Sequence, residues 1–345
     1  MQPPLPGGPA CPFGLPPPGI GGEISNDPQH FQVDELPAYP LSGSGEHYFV
    51  RVRKTGLTTP EVRTLLAEAA GVPERDMGVA GRKDRHAVTT QWFSMQRPPV
   101  DPGHPQLELL EVTRHGNKLR LGHLVGNRFV VRITGVQHPE RLPALLAELA
   151  RGVPNYYGAQ RFGRFGLEDG LRLLAEPRRR VKDPQFLAST VQSAVFNRWL
   201  GARVAAGLLH QAIAGDILRK RATGGLFVCE APEVDTPRVE AGELDPTGPM
   251  PGPRTWAATG DAAAAEEAAV AAVGLTPELL AVLGRFAEGT RRHARVQPTD
   301  LTAEFAGEAV LDLTFTLPKG AFATVLLGAL IDPSRPFART EEVSE

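Results

Sequence analysis

Cysteine is nearly absent from this chain. Cys11 and Cys229 are the only two in 345 residues, too few for a disulfide framework and unsuited to a structural zinc site. Long apolar runs are missing too. None approaches the ~20 residues that a membrane helix needs, so no spanning segment is expected. There is little net charge: 37 Lys and Arg against 39 Asp and Glu give −2, which argues against a strongly basic nucleic-acid binder. No Walker, dinucleotide-binding, zinc or Ser-His-Asp spacing occurs. His47, His86, His104, His115, His123 and His210 lack the i, i+4 pairing of a helical metal site. A metal or other cofactor is therefore not expected. The first residues lack the charged start and apolar core of a secretory signal, and a reduced, cytoplasmic setting follows as the expectation.

What is present is more informative. Residues 230–268 hold nine acids and two bases, a local charge of −7 that leaves +5 on the remainder. Basic clusters then stand out at Arg178–Arg180 with Lys182, at Arg291-Arg292 with Arg295, and at Arg82–Arg85. Each alone is ordinarily a solvated face; three on one otherwise acidic chain keep a polyanion partner in view.

The chain is long enough for two domains. Residues 1–22 are rich in Pro and Gly, carry no charge, and read as a flexible leader. A period-two strand over His47–Arg53 precedes a helix begun by Thr59-Pro60-Glu61 and ended by Gly71. Strands are expected at Leu107–Thr113, Lys118–His123 and Arg128–Thr134, the first two as a hairpin, then a helix over Pro139–Arg151. Helices follow from Pro184 to Ala206, over Asp261–Val273, and after Thr276-Pro277-Glu278. An acidic Pro/Gly-rich loop is read over 230–255. A strand at Leu311–Leu317 and a helix at Ala321–Ile331 close the chain. Hairpins mixed with helices on one sheet make this an α+β fold. Its expected parts are one sheet domain from 23–155 plus 304–345, and a helix-rich insertion over 156–303.

Within Asp76–Ser94, a short apolar run (Met77–Ala80) stops at Gly81. Arg82-Lys83-Asp84-Arg85 follows, and Thr89-Thr90-Gln91 leads into Trp92-Phe93. A single carboxylate thus sits on a loop between two strands, with cations that would keep it ionised. Read locally, a solvated turn is the plainer account. At Asn155–Gly163, aromatics and glycines interleave with Arg161, a composition that can stack bases; a packed junction turn is again the plainer local reading.

The order of motifs changes that reading. Ala80–Thr89 with Gln91 closely resembles the AGxKDxxAxT signature of the tRNA pseudouridine synthase D family. Gly126-Asn127-Arg128-Phe129 is similar to its GNxF element, and Val153–Gly163 to its second signature. Ser193–Asn197, Gly215-Asp216 and Leu317–Thr324 follow in the family's order. The resemblance implies a pseudouridine synthase catalytic core, a mixed and mainly antiparallel sheet with flanking helices, interrupted by an α+β insertion.

It also implies an isomerase that converts uridine, at position 13 in the family's bacterial members, to pseudouridine in tRNA. Asp84 would be the catalytic residue. Lys83 and Arg82 would hold it charged or contact phosphate. Phe129 and Phe322 would line the base pocket, Asn127 would be a polar partner, and Gln160 and Arg161 of the second signature would contact substrate. The target base must leave its stem to be reached. The partner is tRNA, with no membrane or metal and a monomeric chain. The alternative is a non-catalytic RNA-binding or RNA-folding factor using the same groove. One departure stands out: Ser25 occupies the place of a family lysine.

Overall fold

The computed structural model describes residues 13–158, 161–162, 166–178 and 180–334. In chain order its first elements are β1 (Phe31–Pro37), β2 (His47–Thr55), α1 (Thr59–Ala70), β3 (Gly78–Val79), β4 (Val88–Met95), β5 (Leu107–His115), β6 (Leu124–Thr134) and α2 (Leu142–Arg151). Next come β7 (Val153–Pro154), α3 (Gly166–Ala175), α4 (Pro184–Ala205), β8 (Ile217–Lys220), β9 (Leu226–Val228), α5 (Pro232–Glu240) and β10 (Leu244–Met250). The chain closes with α6 (Gly260–Ala272), α7 (Pro277–Leu283), β11 (Thr290–His293), β12 (Arg295–Val296), β13 (Thr299–Gly307), β14 (Val310–Pro318) and α8 (Ala323–Ile331). Two compact units result. A sheet unit takes Gly22–Pro139 and Pro298–Gly320; a helix-rich unit takes the described residues before Gly22, Glu140–Gln297 and the described residues from Ala321 on.

The sheet unit is one eight-stranded sheet in the order β13-β14-β6-β1-β4-β2-β5, with β3 added to β4. Only the β1–β4 pair runs parallel. α1 forms where the sequence provides both stops. The Thr58 side chain and Glu61 make a reciprocal capping box, and Gly71 ends the helix at φ 62°, a left-handed conformation that favours glycine. Its apolar stripe, Val62 and Leu66, packs on Val50 and Val52 of β2 and on Phe93 and Met95 of β4.

One expected strand is absent. Residues 118–123 form a loop because their backbone groups are engaged elsewhere. Leu119 N–H donates to Ser94 Oγ at 2.9 Å and Gly122 N–H to Ala80 O at 2.8 Å. β5 pairs instead with β2, from His47 opposite His115 to Lys54 opposite Leu107.

In the helix-rich unit α4 is buried along most of its length, and β11-β10-β8-β9 form a four-stranded sheet. Here the acidic stretch proves structured. Residues 232–240 are α5 and 244–250 are β10, which pairs with both β8 and β11. Two of the acids, Asp235 and Asp245, are buried partners, while Glu230, Glu233, Glu240 and Glu243 are exposed. Asp245 accepts from Arg221 and Arg295, and Asp235 from Arg238. Residues 13–21 pack as well: Phe13 meets Tyr156 edge-on at 6.3 Å, and Ile20 N–H donates to Leu330 O. The leader residues 1–12 lie outside the described residues.

Candidate active site

Across the sheet unit the strand register sets side chains in rows, because directly opposed residues leave a sheet on the same face. One row is Lys54, Thr89, Val33, Phe129 and Phe315, on β2, β4, β1, β6 and β14. The next contains Gln91 on β4, with Glu35, Asn127 and Leu317 opposed on β1, β6 and β14. Polar groups on these rows are unusual in being buried: Lys54, Thr89, Gln91 and Glu35 are each under 4 % exposed.

The loop from Gly81 to Ala87 is tied to this face and to α1 through Lys83, Asp84 and Arg85. Lys83 N–H donates to Thr59 Oγ1 at 2.9 Å, and Thr59 in turn donates to Gln91 Oε1 at 2.8 Å. Lys83 Nζ reaches Glu35 at 2.6 Å. The backbone carbonyl of Asp84 accepts from Lys54 Nζ at 2.8 Å. Arg85 pairs with Glu61 at 2.6 Å. The outcome differs from the local reading of the sequence. Lys83 is buried against Glu35 and the exposed Arg85 is turned to Glu61, while Asp84 and Arg82 are exposed and form no such ion pair among the described residues. Asp84 is thus an outward carboxylate on a fixed main chain.

Asn127 lies in β6, with Glu35 and Leu317 as its neighbours in register. Its Oδ1 is buried and has no hydrogen-bond partner among the described residues; Thr89 Oγ1 is in the same condition. Such atoms are rare in proteins and call for an explanation. Gly126, beside Asn127, has no room for a side chain: a Cβ there would sit 2.1 Å from Leu317 O. Phe129 is 7 % exposed, stacks on Phe315 at 5.1 Å and meets Phe31 edge-on at 6.1 Å. Ser25 hydrogen-bonds through its hydroxyl to His30 Nδ1 at 2.6 Å.

Phe322 and Arg161 belong to the helix-rich unit. Phe322 is the N-cap residue of α8 and meets the Tyr157 ring at 5.9 Å. Tyr157 is held from several directions. Its backbone N–H donates to Asn197 Oδ1, its carbonyl accepts from Asn197 Nδ2, and the Arg292 guanidinium lies over its ring at 3.9 Å. Arg161 lies over Tyr157 and Phe186 and donates to Ser189 and Ser193. The Asn155–Tyr157 and Ser193–Asn197 motifs are therefore two halves of one packed junction. Gln160 lies outside the described residues. Arg291, Arg292 and Arg295, a cluster that suggested a polyanion face, are engaged within the unit by Glu266, Asn155 and Asp245.

Two residues here escaped the sequence reading. Glu35 had no local signal, since its partner is 48 positions away. Lys54 had one: it continues the Val50, Val52 alternation into the inward face, where an unpaired lysine is rare. Burial pushes its ammonium down to about 8, partly opposed by the nearby Asp84 charge. Among the described residues no helix is long and apolar enough to cross a membrane.

A family model described as tRNA pseudouridine synthase D (TruD) matches residues 13–167 and 184–329. A curated relative of that name from Anaeromyxobacter sp. (strain Fw109-5) is 44 % identical over 342 residues, covering 94 % of this chain and 97 % of the relative. Another, from Thermus thermophilus, is 42 % identical over 323 residues, covering 90 % of this chain and 88 % of its own. A solved structure from Methanosarcina mazei bearing the same family name superposes with a TM-score of 0.72, covering 93 % of this chain and 96 % of that one. At 22 % identity it attests the fold.

Proposed function

This chain belongs to the tRNA pseudouridine synthase D family, and from that premise we propose that it isomerises uridine 13 of tRNA with Asp84 as the catalytic residue. The enzyme class is isomerase. In the reaction the bond from C1′ to N1 breaks, the uracil turns while held, C5 bonds to C1′, the C5 proton leaves to solvent, and N1 takes up a proton, so that the product is an isomer of the substrate. An ionised carboxylate at C1′ serves whether it adds to that carbon or removes the 2′ proton.

The observation that carries the reading is the division of labour on the loop. Lys83 and Arg85 are committed to Glu35 and Glu61, and Lys54 holds the Asp84 carbonyl, while the Asp84 side chain is exposed. Placing a reacting group on a main chain held by hydrogen bonds lowers the cost of reaching the transition state. A base inside a stem must be extruded to meet that carboxylate.

Asn127, with a buried acceptor left free among the described residues, is the polar partner we assign to the base or the loop. Phe129 is assigned to the base pocket. Arg82 is exposed and is assigned to phosphate. In the helix-rich unit Phe322 and Arg161 are proposed as substrate contacts, as is Gln160 from the signature alone. Lys83 is assigned to the loop through Glu35.

Pseudouridine mapping in tRNA treated with purified protein tests this reading. It predicts one new pseudouridine, at position 13. Salt-dependent tRNA binding without any pseudouridine would instead identify a binding factor.

A further inference from the structure

Lysine is among the residues least often buried, and a buried one demands a reason. Lys54 ends the inward row of β2 with 1 % of its surface exposed. Its ammonium bridges two backbone carbonyls, that of Leu57 at the entry to α1 and that of Asp84 at 2.8 Å. Neither acceptor is a carboxylate. The charge is thus spent on main-chain geometry, at the residue whose carboxylate must be aimed.

The neighbours reinforce this. Residues 83, 84 and 85 are each tied to segment 54–61: Lys83 N–H to Thr59 Oγ1, Asp84 O to Lys54, Arg85 to Glu61 and to Gly56 O. Of the three, only the tie through Lys54 ends on Asp84 itself. The charged groups facing the ammonium are Asp84 and Glu61, which favour its charged form, and Lys83 and Arg85, which oppose it.

We propose that Lys54 is a positioning residue for the isomerisation: its buried ammonium clamps the Asp84 carbonyl to the start of α1 and so fixes where the Asp84 carboxylate points. The inference rests on Asp84 being the catalytic residue. A charge-assisted hydrogen bond is stronger and more directional than a neutral one, so loss of the proton loosens the clamp without removing the side chain. Turnover then falls on the alkaline side, near the value of about 8 to which burial lowers this ammonium.

The test compares wild type, Lys54→Met, Lys54→Arg and Asp84→Asn in steady-state pseudouridine formation on tRNA across pH 6–10, with circular dichroism at the assay temperature. Lys54→Met removes the donor at nearly constant volume and should lower kcat by about 10–100-fold, the cost of misplacing a reacting group by roughly 1 Å, with KM for tRNA within about threefold. Lys54→Arg, which does not titrate in this range, should recover part of kcat and abolish the alkaline fall. The inference is overturned if Lys54→Met keeps kcat within about twofold, or raises KM alone. It is equally overturned if a folded Lys54→Arg retains the wild-type alkaline limb. Asp84→Asn separates the two readings. Activity in that variant removes the premise, whereas an inactive Asp84→Asn beside a fully active Lys54→Met removes only the role of Lys54.

Discussion

Lys83 Nζ lies 2.6 Å from Glu35 Oε2, with both side chains almost wholly buried. The lysine immediately before Asp84 thus turns into the sheet while the aspartate faces outward. Glu35 takes a second donor, the Trp92 N–H at 3.2 Å, so the pair joins β1, β4 and the loop. Removing one partner of a buried pair strands the other charge. Lys83→Met should therefore lower unfolding stability by ~3–5 kcal/mol, read from urea midpoints. Adding Glu35→Leu to that variant should recover most of the loss. A surface-like effect near zero for Lys83→Met would place the pair in water.

Gly126 sets the approach of β6 to β14 beside Asn127. A Cβ there meets backbone and not a movable side chain. Gly126→Ala should cost about 1–3 kcal/mol by overpacking and should lower activity along with stability. Wild-type thermal stability in that variant would contradict the register of Gly126 opposite Pro318.

Acid should weaken the helix-rich unit through two histidines. Burial lowers both His210 and His293 to about 4, with Arg295 beside the first and Arg292 beside the second. Unfolded, each binds a proton near pH 6.5; folded, each stays neutral until about pH 4. Between those values the unfolded chain holds more protons, so stability is full above pH 6.5 and falls as pH drops toward 4. The loss is roughly 2–3 kcal/mol for His293 and smaller for His210, which is partly exposed and screened by solvent. Urea titrations at pH 7 and pH 4.5 check this, and His210→Asn with His293→Asn should flatten the difference.

Much of this protein could be read from local spacing. Thr59-Pro60-Glu61 and Gly71 mark both ends of α1, although the capping hydroxyl is that of Thr58 and not Thr59; Thr276-Pro277 starts α7, and the alternation of Leu311, Leu313, Phe315 and Leu317 is β14. The Asp84 loop was legible as a motif and as a strand-to-strand connection. Its wiring was not, because Lys83 to Glu35, Lys54 to Asp84 and Thr59 to Gln91 each span 30 or more positions and depend on which face a strand presents. The stretch 230–255 misled for a related reason. Composition shows charge and proline but not that Asp245 lies between Arg221 and Arg295. Residues 118–123 alternate like a strand, yet their donors go to Ser94 and Ala80.

The account turns on Asp84, and release of tritium from C5-labelled uridine in tRNA measures it most directly. Wild-type protein should release label in proportion to pseudouridine formed. Asp84→Asn should release none above background while binding tRNA within a few-fold of wild type, since the substitution removes one exposed charge and leaves the Lys54, Lys83 and Arg85 ties in place. Tritium release by Asp84→Asn at the wild-type rate would contradict the account.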